Sequence, residues 1–150
     1  MVKPKHYLIA GGVISALISI LHVVLALRPE LYRYIGPGQE SALAQMAEQG
    51  SSITTIATVA LALIFAIWAI YAFSGAGLIG PLPLLRTALI AIGVIYILRA
   101  LFLPSEINMV LTQGYPFRFV VFSTISLVAG LLYLIGVWKQ RASLKLGEKS

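Results

Sequence analysis

The chain contains no cysteine and no aspartate, and only 11% of its 150 residues are charged. Without cysteine there can be no disulfide, no thiolate nucleophile and no cysteine-ligated zinc or iron–sulfur centre. The acids are all glutamate, at positions 30, 40, 48, 106 and 148, and none falls inside a long apolar run. Small four-helix exporters that trade protons for drugs depend on such a membrane carboxylate, so coupled export is not expected. Histidine is scarce too: His6 and His22 are the only two. They sit about 16 residues, or roughly 24 Å, apart along one helix, too far to hold a single haem iron. Hydrolase elbows, phosphate-binding glycine loops and zinc-protease motifs are absent. No cofactor, no metal and no catalytic residue is therefore expected.

What fills the chain instead is apolar sequence, 59% of all residues, with a mean hydropathy of +0.94. It is gathered into four runs at about 7–27, 53–73, 84–103 and 117–138. A helix rises about 1.5 Å per residue and a bilayer core is about 30 Å thick, so runs of about 20 uncharged residues fit lipid better than a soluble core. Lys3 and Lys5 before the first run resemble a signal peptide, but the run has about 21 residues against about 7–15 in such a signal, and it is read as a retained helix. The expected fold class is all-α: an integral membrane four-helix bundle, a single transmembrane domain of residues 1–150 ending in a basic tail at 139–150.

Basic residues in short loops are held on the cytoplasmic side. With both termini inside (N-in/C-in), Lys3, Lys5, Arg86, Lys139, Arg141, Lys145 and Lys149 lie inside, and Arg28, Arg33, Arg99 and Arg118 outside. Four of the five glutamates fall outside, so the whole formal net charge of +6 is assigned to the inner face. Attraction to anionic lipid headgroups follows. A nucleic-acid partner does not, because the basic residues are not interleaved with aromatics. The expected location is the inner (plasma) membrane of a bacterium, multi-pass.

The connections differ. Ser74 to Pro83 is a short uncharged turn rich in glycine and proline. In the first outer loop, Pro29 should end the first helix and Gln39 to Gln49 carries Ala42, Leu43, Met46 and Ala47 at helical spacing, which predicts a short amphipathic helix on the interface. Pro104 to Pro116 is read as a second outer segment that dips back onto the bundle. The two loops echo each other, since Arg28-Pro29-Glu30 and Leu103-Pro104-Ser105-Glu106 each close a helix with proline and then glutamate. Tyr32, Tyr34, Trp68, Tyr71, Tyr115 and Trp138 are expected as interface anchors.

Small and polar residues form a stripe on each run, as helix packing in lipid requires. The stripes are Gly11, Ser15, Ser19, His22 and Ala26; Thr54 or Thr55, Thr58, Ala62, Ala66 and Ala69; Ala88, Ile92, Tyr96 and Arg99; and Phe119, Ser123, Ser126, Gly130 and Tyr133. Their polar members gather toward the outer half. There, His22, Arg28, Thr54, Thr58, Tyr96, Arg99, Glu106 and Arg118 form the candidate ligand-binding site. Arg99 lies within a span, where a charge is expensive unless it faces a partner or wet cavity. Either it snorkels to the interface and pairs with Glu106, Glu30 or a lipid phosphate, or with Arg118 it offers its forked donors to an anionic amphiphile.

Small trimeric membrane enzymes that act on glutathione and lipids share this length and helix count, but their Glu, Arg and Asn on the second helix have no counterpart in Ser51 to Phe73. Two functions remain. The first is a non-enzymatic protein that binds a lipid-like anionic ligand or a membrane partner through the outer pocket. The second is a small membrane enzyme or transporter acting on a lipid or quinone, with His22 or Tyr96 moving the proton. Expected partners are membrane lipid and a further membrane protein or second copy of the chain.

Overall fold

A computed structural model describes residues 3–35 and 42–147. The described chain is entirely helical apart from its turns: α1 (Pro4–Leu27), a 3-10 turn (Pro29–Leu31), α2 (Tyr32–Ile35), α3 (Ala42–Glu48), α4 (Ser52–Gly75), α5 (Leu85–Ala100), α6 (Leu103–Gln113) and α7 (Arg118–Gly147). Four stretches are long and apolar enough to cross a membrane: Pro4–Leu27, Ser52–Gly75, Leu85–Gln113 and Arg118–Arg141. The chain is thus a multi-pass membrane protein. Of the helix expected over Gln39 to Gln49, residues 39–41 lie outside the described part, as does the end of the basic tail from Glu148.

The burial pattern is that of a protein solvated by lipid. Leu17, Ile56, Leu63 and Leu98 are exposed, whereas Ser15, Ser19, Thr58, Ser123 and Ser126 are buried. Apolar surface without an aqueous penalty and small polar residues inside is the arrangement that lipid selects. Of the two threonines that competed for the second stripe, Thr54 is buried and Thr55 is exposed.

Packing divides the chain into two compact units, Met1–Ser15 with Ile67–Ser150, and Ala16–Ala66. Helices α1 and α4 each contribute one part to each unit.

In the larger unit, α5 and α7 form the main helix pair. Gly93 and Gly130 allow the close approach, since a Cβ on Gly130 would stand 2.8 Å from Ile97 Cδ1 and 3.0 Å from the Gly93 carbonyl. The start of α1 packs on α7 in the same way, with Gly136 under Leu8 and Gly11 under the Tyr133 ring. Helix α4 ends at Gly75 and its cap closes on Gly77, whose φ of +76° a side chain would strain. The N–H of Leu78 returns to the Phe73 carbonyl and that of Gly77 to Ser74. Ser74 Oγ then ties the following turn, donating to the Gly80 carbonyl at 2.8 Å and accepting from the Leu82 N–H at 3.1 Å.

Pro104 does not end the helical path. It sits in the first turn of α6, where a missing N–H costs nothing, and α6 stays beside α7 through Glu106 and Ser123. Most of the segment from Pro104 to Pro116 is therefore helix.

In the smaller unit, α1 and α4 are joined by Ser19 Oγ, which donates to the Ala62 carbonyl at 2.7 Å. Helix α3 ends on Gly50, with the Ser51 N–H reaching the Met46 carbonyl and the Gly50 N–H that of Ala47. Arg33 on α2 pairs with Glu48 on α3 at 2.7 Å.

Candidate functional site

The eight candidate residues fall four to each unit: His22, Arg28, Thr54 and Thr58 in the smaller, Tyr96, Arg99, Glu106 and Arg118 in the larger.

The larger unit brings Arg99 and Glu106 together. Arg99 Nη1 donates to Glu106 Oε1 at 3.1 Å and to Ser123 Oγ at 2.7 Å, while Ser123 Oγ donates to Glu106 Oε2. Both carboxylate oxygens are thereby engaged in a place where an unpaired charge would be costly. The Glu106 side chain is 12% exposed and that of Arg99 39%. The guanidinium rests over the Phe102 ring, 5.8 Å from its centroid. Both of its hydrogen bonds leave from Nη1; among the described residues, Nε and Nη2 make none. Arg99 is thus a cation fixed on one edge and open on the other. Arg118, at the start of α7, lies over the Phe119 ring at 5.5 Å.

Tyr96, expected in the same pocket, is committed elsewhere. Its hydroxyl lies 2.9 Å from Ser15 Oγ, which lies 2.8 Å from the Tyr133 hydroxyl, which donates to the Trp68 carbonyl at 3.0 Å. A carbonyl can only accept and each hydroxyl has one proton. The order follows: Tyr133 donates to Trp68, Ser15 to Tyr133, and Tyr96 to Ser15. Trp68 adds its ring edge-on to Tyr96, with centroids 5.1 Å apart. Ser15, Tyr96 and Tyr133 are all buried. Ser15 and Tyr133 were on the inward stripes, but no feature of the sequence marked them as partners, and Trp68 gives both its carbonyl and its ring edge to this cluster.

In the smaller unit, His22 Nδ1 donates to the Ile18 carbonyl of its own helix at 2.8 Å. The ring packs 5.3 Å from that of Phe65. Thr58 Oγ1 donates to the Thr54 carbonyl at 2.7 Å and meets the Tyr32 hydroxyl. Thr54 Oγ1 is buried and has no hydrogen-bond partner among the described residues. Arg28 pairs at 3.2 Å with Glu30, both largely exposed. The Glu30 carboxyl is lowered below the usual carboxylate range, first by a backbone hydrogen bond and then by Arg28.

No family model matches this chain, and neither a curated protein nor a solved structure does.

Proposed function

We propose that this multi-pass protein binds an anionic, lipid-like amphiphile, and that Arg99 meets its acid group. The observation that carries the reading is the one-sided fixing of the guanidinium. Nη1 is held by Glu106 and Ser123, and the edge formed by Nε and Nη2 remains for a carboxylate or phosphate. The apolar flank of the ligand has lipid-facing side chains to lie on, with Phe102 and Leu98 exposed beside Arg99. Because the donor fork is held in place before the ligand arrives, little ordering is needed on binding. Under the N-in/C-in orientation this site opens to the outer side.

The competing reading, an enzyme acting on a lipid or quinone, would use Tyr96 or His22 to move a proton. The Tyr96 proton is already engaged by Ser15 in a buried chain, which favours the binding reading.

The test is native mass spectrometry of protein purified in mild detergent. Wild type should carry an anionic lipid. Arg99→Ala should lose it by about tenfold or more, as expected for removal of charge-assisted hydrogen bonds worth roughly 1.5–3 kcal/mol. Arg99→Lys, which keeps the charge but not the fork, should fall between. Full retention by Arg99→Ala would overturn the assignment.

A further inference from the structure

At the other end of α5 from Arg99, the larger unit carries a second, unlike cluster. Lys3 stands just before α1 and Lys5 in its first turn, the start of α5 supplies Arg86, and the second half of α7 supplies Lys139 and Arg141. The acid described in this unit is Glu106, beyond the far end of α5. The contacts of α1 with α7 run from Gly11–Tyr133 to Gly136–Leu8. Continued in that register, they bring Lys5 level with Lys139, whose ammonium bonds the Tyr7 hydroxyl at 3.2 Å. Like charges gathered this way repel one another unless an anion joins them.

Charge alone would make a diffuse field. Two directed donors make it more specific. Arg86 Nε and Gln140 Nε2 are buried, and neither has a hydrogen-bond partner among the described residues. Their positions are related: Gly93 packs on Tyr133 and Leu134, Arg86 stands one heptad before Gly93, and Gln140 one heptad after Tyr133. A heptad shifts a residue only about 20° around a helix, so both remain on the seam where α5 meets α7. Two N–H donors on one seam with no acceptor among the described residues, at the end of the helices that also carries Lys5, Lys139 and Arg141, suit an oxyanion.

We propose that this end of the α5–α7 seam is a binding site for the phosphate of an anionic phospholipid, with Arg86 and Gln140 as the directed donors and Lys5, Lys139 and Arg141 as the surrounding charge. The chemistry is that of a phosphate monoanion. The membrane supplies one at the depth where these helices leave the apolar core, since the four spans end close to this cluster and Trp138 is exposed beside it. The site shares no residue with Arg99, and each can fail without the other.

The full chain is placed in nanodiscs of phosphatidylcholine doped with phosphatidylglycerol, and the enrichment of phosphatidylglycerol on the protein is read by native mass spectrometry. The seam variants are made in an Arg99→Ala background, so that lipid held at Arg99 does not enter the count, and the Arg99→Ala parent, taken as the wild-type seam, should enrich it. Gln140→Leu and Arg86→Lys, neither of which alters net charge, should each reduce the enrichment roughly fivefold to tenfold, the size of one lost hydrogen bond. Lys3→Gln, which removes a charge without touching the seam, should change it by less than about twofold. Should Gln140→Leu fail to fold, Arg86→Lys decides alone. Unchanged enrichment in both seam variants, or an equal loss in Lys3→Gln, would reduce the cluster to a diffuse field and overturn the site. Inorganic phosphate that protected wild type from thermal unfolding as strongly as phosphatidylglycerol would assign a soluble anion and overturn the lipid.

Discussion

Ser15 stands between two phenols, relaying a chain of hydrogen bonds from Tyr96 whose direction is set at the far end by the Trp68 carbonyl, which can only accept. Replacing it with alanine leaves the Tyr96 hydroxyl without its acceptor and the Tyr133 hydroxyl without its donor. An unsatisfied buried polar group costs about 1–3 kcal/mol in water-soluble proteins, while measured side-chain hydrogen bonds between membrane helices average about 0.6 and reach about 1.7. Ser15→Ala is therefore expected to destabilise the protein by roughly 1–2 kcal/mol, read from unfolding in mixed detergent. Tyr133→Phe should be the harsher test of the anchor on Trp68. An unaltered midpoint in both would mean that packing alone holds this cluster. The exposed pair of Arg28 and Glu30 gives a prediction in pH. Glu30 is lowered from 4.5, so its contribution to stability is complete above that value and is lost as pH falls through the lower folded value. Glu30→Gln should lower the melting temperature slightly near neutral pH and not at all in strong acid. A deficit that persisted undiminished in acid would sink the ionised carboxylate, with its backbone hydrogen bond and its pairing to Arg28, as the cause.

At the level of helices, close approach rests on a few glycines. A methyl on Gly130 would press on the Gly93 carbonyl at 3.0 Å, a backbone atom that cannot swing away, as well as on Ile97. Gly80 has nothing within 4 Å of the same position. Gly130→Ala should destabilise by about 1–3 kcal/mol, as overpacking usually does, and Gly80→Ala should be neutral. Equal effects would show that the α5–α7 seam is not tightly packed. The stripes were legible because helix packing in lipid leaves a period of small and polar residues in the sequence: Ser15, Ser19, Thr58, Ser123 and Ser126 were all placed inward and all are buried. Other features were not legible. Pro104 reads as a terminator, yet the same ring is welcome in the first turn of α6, and only the partners of Glu106 distinguish the two. Pro29 and Pro104 each open a new helical segment whose glutamate pairs with an arginine before it, Glu30 with Arg28 and Glu106 with Arg99. One pair is exposed and the other half-buried, a difference the sequence does not carry. The partnership of Ser15 with Tyr96 and Tyr133 spans 81 and 118 residues, so no local pattern announces it.

For the molecule as a whole, the unequal distribution of basic residues proposes the orientation. Seven of the eleven Lys and Arg lie in segments on one side of the four spans under N-in/C-in topology, and only four lie on the other. Each Lys or Arg near a membrane surface is attracted to anionic lipid by about 1 kcal/mol, and translocating a loop that carries several is correspondingly disfavoured. Because the chain has no native cysteine, single substitutions report cleanly. Gln45 and Arg141 are both exposed in the structure. With an impermeant maleimide, Gln45→Cys should be labelled on intact cells and Arg141→Cys only after lysis. If charge is the cause, replacing Lys3, Lys5 and Arg86 by glutamine leaves four basic residues on each side. That variant should insert in both orientations, and Arg141→Cys in its background should become partly reactive from outside. An orientation that stayed fixed would mean that the apolar spans, rather than the flanking charges, choose which end of the protein faces the cytoplasm.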